Sequence, residues 1–113
     1  MKYVIVLFSH VATFPDPLKL KRGEQVKLGE KDAEWPGWVW GETVFGKGCW
    51  VPESYLSIQD HQGQMIRDFD ATELNAAVGT RLRIIEETDG WYWCETDQGL
   101  CGWIPVNKTK GIE

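Results

Sequence analysis

The chain alternates short apolar runs with polar and glycine-containing turns, and none of the apolar runs is long. Residues 3–8 form a β-branched and aromatic run, and residues 25–28 alternate polar with apolar side chains. Such alternation with a period of two is typical of a half-buried strand. No stretch of the sequence carries an apolar stripe with the 3.6-residue period of a helix. The pattern therefore predicts an all-β protein built from short strands.

The second half of the chain repeats the first. Gly37–Glu42, which carries two tryptophans, returns as Gly90–Glu95, and Trp50 returns as Trp103, in each case 53 positions later. Aromatic residues, glycines and prolines in matched positions indicate a duplicated structural unit. We therefore predict two small domains and a short polar connector, at residues 1–58, 65–113 and 59–64 respectively.

The net charge of −5 lies in the second half of the chain. Residues 58–113 carry five Lys or Arg against ten Asp or Glu, whereas residues 1–57 carry seven of each. Nucleic-acid binding needs a basic surface, so the charge excludes that class of partner. The acidic excess fits either a surface that attracts cationic partners or simple solubility.

The cysteine content and the start of the sequence predict a cytoplasmic protein. Three cysteines without a C-x-x-C pair are typical of a reducing compartment. The apolar run after Lys2 is short and lacks a small-residue cleavage site, so we expect no signal peptide. No run is long enough to span a bilayer, and we expect no membrane partner.

The sequence shows no residue pattern typical of an enzyme. None of the serines stands in a sequence context that suggests an activating histidine, and the paired carboxylates Glu86 and Glu87 fall in a predicted turn. A metal site needs four converging ligands, which the scattered cysteines and histidines do not offer. Cys94 and Cys101 flank a hairpin and could lie close enough for a disulfide, but a reducing compartment favours two packed thiols. We predict no catalytic residue, no cofactor and no metal.

Several motifs together resemble one known family. In the first unit they are Val6-Leu7-Phe8-Ser9-His10, Leu18-x-Leu20-x-x-Gly23-Glu24, Gly37-Trp38 and Trp50-Val51-Pro52-Glu53-Ser54-Tyr55. In this order and at these loop lengths, they resemble an SH3 (Src-homology 3) domain of the bacterial variant type. The second unit resembles a divergent copy, through Met65–Phe69, Gly79, Gly90-Trp91 and Gly102–Pro105. The resemblance implies two five-stranded SH3-like barrels in tandem.

The resemblance also implies a shallow aromatic groove that takes an extended polyproline segment, with an acidic loop that holds an Arg or Lys of the ligand. Carried over position by position, the groove of the first unit comprises Phe8, His10, Asp16, Trp38, Trp50, Pro52 and Tyr55. A weaker groove in the second unit comprises Phe69, Glu73, Trp91, Trp103 and Pro105. In that unit Arg67 and Lys108 replace two tyrosines of the family.

Strand alternation predicts which tryptophans face outwards. Trp38 and Trp40 lie on one face of their strand, and Val39 and Gly41 on the other. Because Gly41 is small, as a tight core requires, we expect the tryptophans on the outer face. Trp40 and its counterpart Trp93 add a second large ring beside each groove. They either extend the aromatic platform or are buried between the units or in a homodimer, and the second alternative is favoured.

These features predict a non-catalytic adaptor that binds a protein or peptide partner through a proline-rich or basic extended segment. The alternative is a structural or regulatory subunit whose aromatic faces are buried in a permanent assembly. A cell-wall-binding module would need export, for which the sequence shows no signal. The oligomeric state separates the first two hypotheses.

Overall fold

Strands make up nearly all of the regular structure. The computed structural model describes residues 1–14 and 16–112, and these contain no α-helix, only 3₁₀ turns at Glu53–Tyr55 and Val106–Lys108. The all-β prediction is confirmed. The strands of the described residues are β1 (Lys2–Val6), β2 (Lys19–Leu20), β3 (Gln25–Lys31), β4 (Trp38–Glu42), β5 (Gly48–Pro52), β6 (Leu56–Gln59), β7 (Gln62–Met65), β8 (Phe69–Asp70), β9 (Arg81–Thr88), β10 (Trp91–Thr96), β11 (Cys101–Pro105) and β12 (Thr109–Ile112).

The strands form two compact units that do not follow the two halves of the sequence. Unit 1 comprises Met1–Asp16 and Thr72–Glu113, and unit 2 comprises Pro17–Ala71. The chain therefore begins in unit 1, forms the whole of unit 2 and then returns to unit 1. The sequence predicted a division into 1–58 and 65–113, which differs from these units in the origin of one strand in each.

Each unit is an antiparallel sheet whose first strand comes from the other sequence repeat. In unit 1 the strand order is β11-β10-β9-β1-β12, so β1 lies between β9 and β12. In unit 2 the order is β5-β4-β3-β7-β6, and β7 takes the corresponding place between β3 and β6. The two repeats have thus exchanged equivalent strands within one chain, as protomers do in domain swapping.

Both units are small SH3-like β domains, but their sheets are not closed barrels. In unit 1 the edges of the sheet are β11 and β12, and in unit 2 they are β5 and β6. A separate two-stranded ladder joins β2 to β8 in unit 2. The predicted barrels are therefore replaced by open five-stranded sheets, because the last strand of each repeat pairs only with the exchanged first strand.

The predicted polar connector at residues 59–64 is a β-hairpin. β6 and β7 pair from Leu56 opposite Met65 to Gln59 opposite Gln62, with Asp60 in the turn at a φ of 56°. Gly63 and Met65 are buried, whereas Gln62 and Gln64 are exposed. The stretch is therefore a half-buried strand, and the glycine hides its alternation from a hydrophobicity pattern.

The pairing register makes Val4 of β1 and Gly63 of β7 equivalent positions. Val4 lies opposite Leu82 in β9, as Gly63 lies opposite Val26 in β3. Val4 is only 1% exposed and belongs to the core of unit 1. The two first strands therefore carry side chains of very different volume at the same place.

The surroundings of Gly63 explain why each unit takes the strand that it has. A Cβ atom at Gly63 would lie 3.1 Å from Cδ2 of both Leu28 and Leu56. If β1 stood in unit 2, its valine would be forced against these leucines, and overpacking of this kind is destabilising. If β7 stood in unit 1, its glycine would leave a void in place of Val4. Side-chain volume thus favours the exchanged pairing in both units.

The inward face of β4 agrees with the predicted alternation. Val39 is 4% exposed, and a Cβ atom at Gly41 would lie 3.3 Å from Cγ2 of Val26 and of Val51. Gly41 therefore permits close packing in the core of unit 2.

Within residues 1–14 and 16–112 there is no helix of the length and apolar character that crossing a lipid bilayer requires.

Candidate functional site

The strand exchange regroups the residues that the sequence predicted for the two grooves. Unit 1 contains Phe8, His10, Asp16, Glu73, Trp91, Trp103 and Pro105. Unit 2 contains Trp38, Trp50, Pro52, Tyr55 and Phe69. Each predicted groove is therefore divided, because its first-strand residues lie in a different compact unit from its tryptophans.

His10 is the centre of a polar cluster in unit 1. Its side chain is 7% exposed, with Nε2 at 2.8 Å from Oε1 of Glu73 and Nδ1 at 2.9 Å from Nζ of Lys108. An ammonium group can only donate, so Nδ1 accepts the bond from Lys108. Nε2 of the neutral imidazole then carries the proton and donates to Glu73. The two neighbours thus define one tautomer of His10.

Backbone pairing brings the parts of this cluster together from distant positions in the sequence. His10 and Ala76 exchange two backbone N–H···O bonds of 2.9 Å. The carbonyl oxygen of Lys108, at the end of its 3₁₀ turn, accepts the backbone N–H of Leu7 at 2.8 Å and that of Phe8 at 3.2 Å. The residues after β1 are thereby held against both the end of the chain and the segment before β9.

Glu73 is held in place by strand β11. The Trp103 N–H donates to the Thr72 carbonyl oxygen, and the Leu74 N–H donates to the Trp103 carbonyl oxygen, both at 2.9 Å. Gly102 makes this approach feasible, because a Cβ atom there would lie 2.8 Å from the backbone nitrogen of Leu74. A glycine in β11 therefore determines where the acidic partner of His10 stands.

An aromatic surface adjoins the polar cluster. The rings of Trp91 and His10 meet edge to face, with centroids 5.6 Å apart and planes at 80°. Trp91 is half-buried, Phe8 is 63% exposed, and Pro105 is buried opposite Trp91 in the ladder. The exposed Asp89 has a φ of 43° and forms a turn with Gly90, next to Trp91. Unit 1 thus combines accessible aromatic surface with acidic side chains.

The corresponding rings of unit 2 are buried. Trp38, Tyr55 and Phe69 are 5%, 3% and 4% exposed. Phe69 meets Trp38 and Tyr55 edge to face at centroid distances of 6.3 and 5.5 Å. The guanidinium carbon of Arg67 lies 4.1 Å from the centroid of the Tyr55 ring, in cation–π geometry. Trp38 lies on the face of β4 opposite Val39 and Gly41, as alternation predicts. The expectation that this face is exposed is wrong for Trp38, because Phe69 packs against its ring.

The additional tryptophans form a cross-strand pair within each unit. Trp40 lies opposite Trp50, with ring centroids 5.2 Å apart, and Trp93 lies opposite Trp103, with ring centroids 5.4 Å apart. Trp40 also lies across Gly48, where a Cβ atom would come within 2.5 Å of the indole. Each additional ring is thus held by the unit to which it belongs.

The sequence did not place Lys108 beside His10 or Arg67 beside Tyr55. Position matching put both cations in one predicted groove, the one around Trp91. Two cations in the same groove repel each other, and this conflict was a signal in the sequence that the first strands could be exchanged. In the structure each cation has a partner of suitable chemistry in its own unit.

The cysteines of the described residues do not pair with one another. Cys94 lies opposite Gly102 and Cys101 opposite Glu95, so the two thiols stand on opposite faces of their ladder, and among the described residues no cysteine is in a disulfide. The Cys94 thiol donates to the Gly102 carbonyl oxygen at 3.4 Å. Across residues 1–14 and 16–112, no group of three or more His, Cys, Asp or Glu is arranged to hold a metal ion.

Burial makes two of the thiols resistant to ionisation, and this gives a testable result. Desolvation raises the pKa of Cys49 and of Cys94 from 9.0 to about 12. The folded state therefore retains protons that the unfolded state loses above pH 9, so the free energy of unfolding should fall as the pH rises from 9 towards 12. Urea unfolding at pH 7, 9 and 10.5 measures this decline.

Thiol labelling under native conditions tests the same assignment. At pH 8 an alkylating reagent should modify the half-buried Cys101 much faster than Cys49 or Cys94, because the thiolate is the reacting species. The Cys101→Ser variant is the control and should label only slowly. Equal labelling rates at all three positions would contradict the burial of Cys49 and Cys94.

Comparison with known families assigns both repeats. Residues 3–59 match the variant SH3 domain, and residues 71–108 match the bacterial dipeptidyl-peptidase SH3 domain. No curated protein and no solved structure shows a significant match. The first match alone covers 57 of the 113 residues, more than half of the sequence. The chain therefore belongs to the variant SH3 domain family and is a tandem SH3 domain protein.

Proposed function

We propose that this chain is a non-catalytic adaptor whose unit 1 binds an extended proline-rich or basic segment of a partner protein. SH3 domains are generally protein-interaction modules, which supports a binding role. The observation that carries the proposal is the exposed ring of Phe8 in the same unit as the half-buried ring of Trp91.

The chemistry of unit 1 suits such a ligand. A polyproline segment is already extended in solution, so it loses little conformational entropy when its rings dock against aromatic side chains. Trp91 and Phe8 provide aromatic surface, and the exposed Glu87 and Asp89 precede Trp91 on the chain. Carboxylates beside an indole ring attract a Lys or Arg of the ligand electrostatically.

Unit 2 is less suited to bind a segment of this kind in the present conformation. Its three equivalent rings, those of Trp38, Tyr55 and Phe69, are each at most 5% exposed. A docked peptide would first have to displace side chains such as Arg67 from the Tyr55 ring. We therefore place the working site of the adaptor on unit 1.

Truncation of Phe8 tests the proposal. Phe8→Ala should weaken the binding of a proline-rich decapeptide with one arginine by roughly tenfold to thirtyfold, because aromatic anchors carry much of the energy of an interface. Fluorescence titration gives the Kd. In a titration of ¹⁵N-labelled protein, the indole signal of Trp91 should shift more than that of Trp38.

The matched control is Phe45→Ala, which removes a ring that is 89% exposed at a hairpin tip of unit 2. Both variants should melt like the wild type, since neither ring is buried. The proposal fails if Phe8→Ala binds the peptide as tightly as Phe45→Ala, or if the largest shift is that of Trp38.

A structural or regulatory subunit is the second function that a specific observation favours. Leu7, Val11 and Val78 are 42%, 75% and 65% exposed, which is apolar surface that an assembly would cover. In that case the protein should associate with itself or be isolated with a partner, and a homodimer through the half-buried tryptophans is one such form. Sedimentation over a hundredfold range of concentration decides, because a constant monomer mass excludes the homodimer.

A further inference from the structure

The cation of unit 1 lies in an unusual environment. Nζ of Lys108 is 2.9 Å from Nδ1 of His10 and 3.3 Å from the carbonyl oxygen of Ser9. Both of these acceptors are neutral groups. Among the described residues, no carboxylate lies within ion-pair distance of Nζ. The ammonium group has three N–H donors and these two acceptors, so a third acceptor would come from outside the described residues.

The positive charge of Lys108 therefore has no direct ion pair among the described residues, and its link to the carboxylate of Glu73 runs through the His10 ring. Glu73 is the nearest acid in the cluster, and it is bonded to the far side of the His10 ring rather than to the ammonium. Lys108 is half-buried, and a cation that is partly removed from water gains from a direct anionic partner. The third N–H of this ammonium is the donor that such a partner would use.

The surroundings select the kind of anion. The Lys108 carbonyl oxygen accepts the backbone N–H of Phe8, whose ring is exposed, and the His10 imidazole bonded to the ammonium packs edge to face with the Trp91 ring. One ammonium beside aromatic surface matches a single carboxylate on a peptide chain, whose neighbouring apolar groups can contact the rings. A phosphate would need several cationic or backbone donors at one place.

We propose that Lys108 binds a carboxylate of the peptide that docks on unit 1, an inference that rests on the proposed function. The ligand would then be bipolar. Its basic or proline-rich part would lie along Trp91 and the acidic turn, and its carboxylate would reach the 3₁₀ turn that ends in Lys108. His10 and Glu73 fix the position of the ammonium by the hydrogen bonds described above.

The test compares four versions of one proline-rich, arginine-containing peptide. They combine a glutamate or a glutamine near the end with a free or an amidated C-terminus. Wild-type protein should bind a carboxylate-bearing version about tenfold more tightly than the fully neutralised version, as expected for a charge-assisted hydrogen bond. The glutamate and terminal versions separately show which carboxylate is recognised.

Variants at two lysines assign the effect to its residue. Lys108→Met should bind all four peptides alike, and Lys108→Arg should restore part of the preference. Lys110→Met, which removes an exposed lysine from β12, should retain the whole preference. If Lys108→Met does not fold, the ¹⁵N shifts of the Lys108 ammonium and the His10 imidazole in wild-type protein replace it, and both should move only with carboxylate-bearing peptides.

The outcomes separate this inference from the proposed function. If wild-type protein binds all four peptides equally well, the carboxylate site is wrong and the peptide-binding function stands. If it binds none of them, both are overturned. Retention of the preference in Lys108→Met, or its loss in Lys110→Met, also contradicts the assignment to Lys108.

Discussion

Deletion of Lys2–Val6 should unfold unit 1, which contains the C-terminal repeat, and leave unit 2 folded. β1 lies inside the sheet of unit 1 and pairs with β9 on one side and β12 on the other. Val4 and Val6 are each 1% exposed in its core. Removal of a central strand takes away both ladders and a layer of the core, which a domain of this size cannot lose and remain folded.

The tryptophans report on each unit separately. In the deletion variant the indole signals of Trp91, Trp93 and Trp103 should collapse to random-coil positions, whereas those of Trp38, Trp40 and Trp50 should stay dispersed. The reciprocal control is Gln64→Pro in β7, the strand of unit 2 that corresponds to β1. Proline there removes a backbone N–H donor from the sheet of unit 2. That variant should give the opposite pattern.

A tandem arrangement without strand exchange predicts the reverse result. In that arrangement β1 would complete the sheet of β3, β4 and β5, so its deletion would collapse the signals of Trp38 and its neighbours to random-coil positions and leave those of Trp91 dispersed. Such an outcome would overturn the exchanged topology. It would also remove the basis for joining His10 to Lys108.

Gly102→Ala should destabilise unit 1 by about 1–3 kcal/mol and impair its site. The new Cβ would lie 2.8 Å from the Leu74 backbone nitrogen and 3.0 Å from its Cα. Because the obstacle is backbone, no rotamer change can relieve the clash, and the segment that carries Glu73 must move away from β11. We expect a lower melting temperature for unit 1 and weaker peptide binding, measured by calorimetry and fluorescence titration.

Gly111→Ala is the matched control in the same unit. It makes the same chemical change in β12, but a Cβ atom there meets nothing within 4 Å. Its stability should equal or slightly exceed that of the wild type, since alanine restricts the unfolded chain more than glycine does. Equal melting temperatures for the two variants would show that Gly102 does not mediate a close approach.

Much of the local structure follows from the sequence alone. The apolar run that starts at residue 3 lies in β1, and the alternating residues 25–28 lie in β3, as the pattern of hydrophobic positions predicts. The inward position of Gly41 also follows, because it depends only on the period of one strand. The repeat of the tryptophan motif was sufficient to identify two SH3-type domains.

The composition of the candidate site could not be derived in the same way. Position matching places Phe8 and His10 beside Tyr55, whereas the structure places His10 beside Lys108. Strands β1 and β7 both have the alternation of buried and exposed side chains that either sheet requires, so their local sequences do not show which sheet each strand joins. A register that is compatible with two pairings is decided by tertiary contacts.

The sequence by itself therefore determined the all-β class and the family of this protein, because both depend on patterns among residues close together in the chain. Only the tertiary structure decided which strand completes which domain. That choice depends on contacts between side chains that are far apart in the sequence. Gly63 fits between Leu28 and Leu56, and Val4 fills the core of unit 1. The same choice separates Arg67 from Lys108 and gives the imidazole of His10 its two partners.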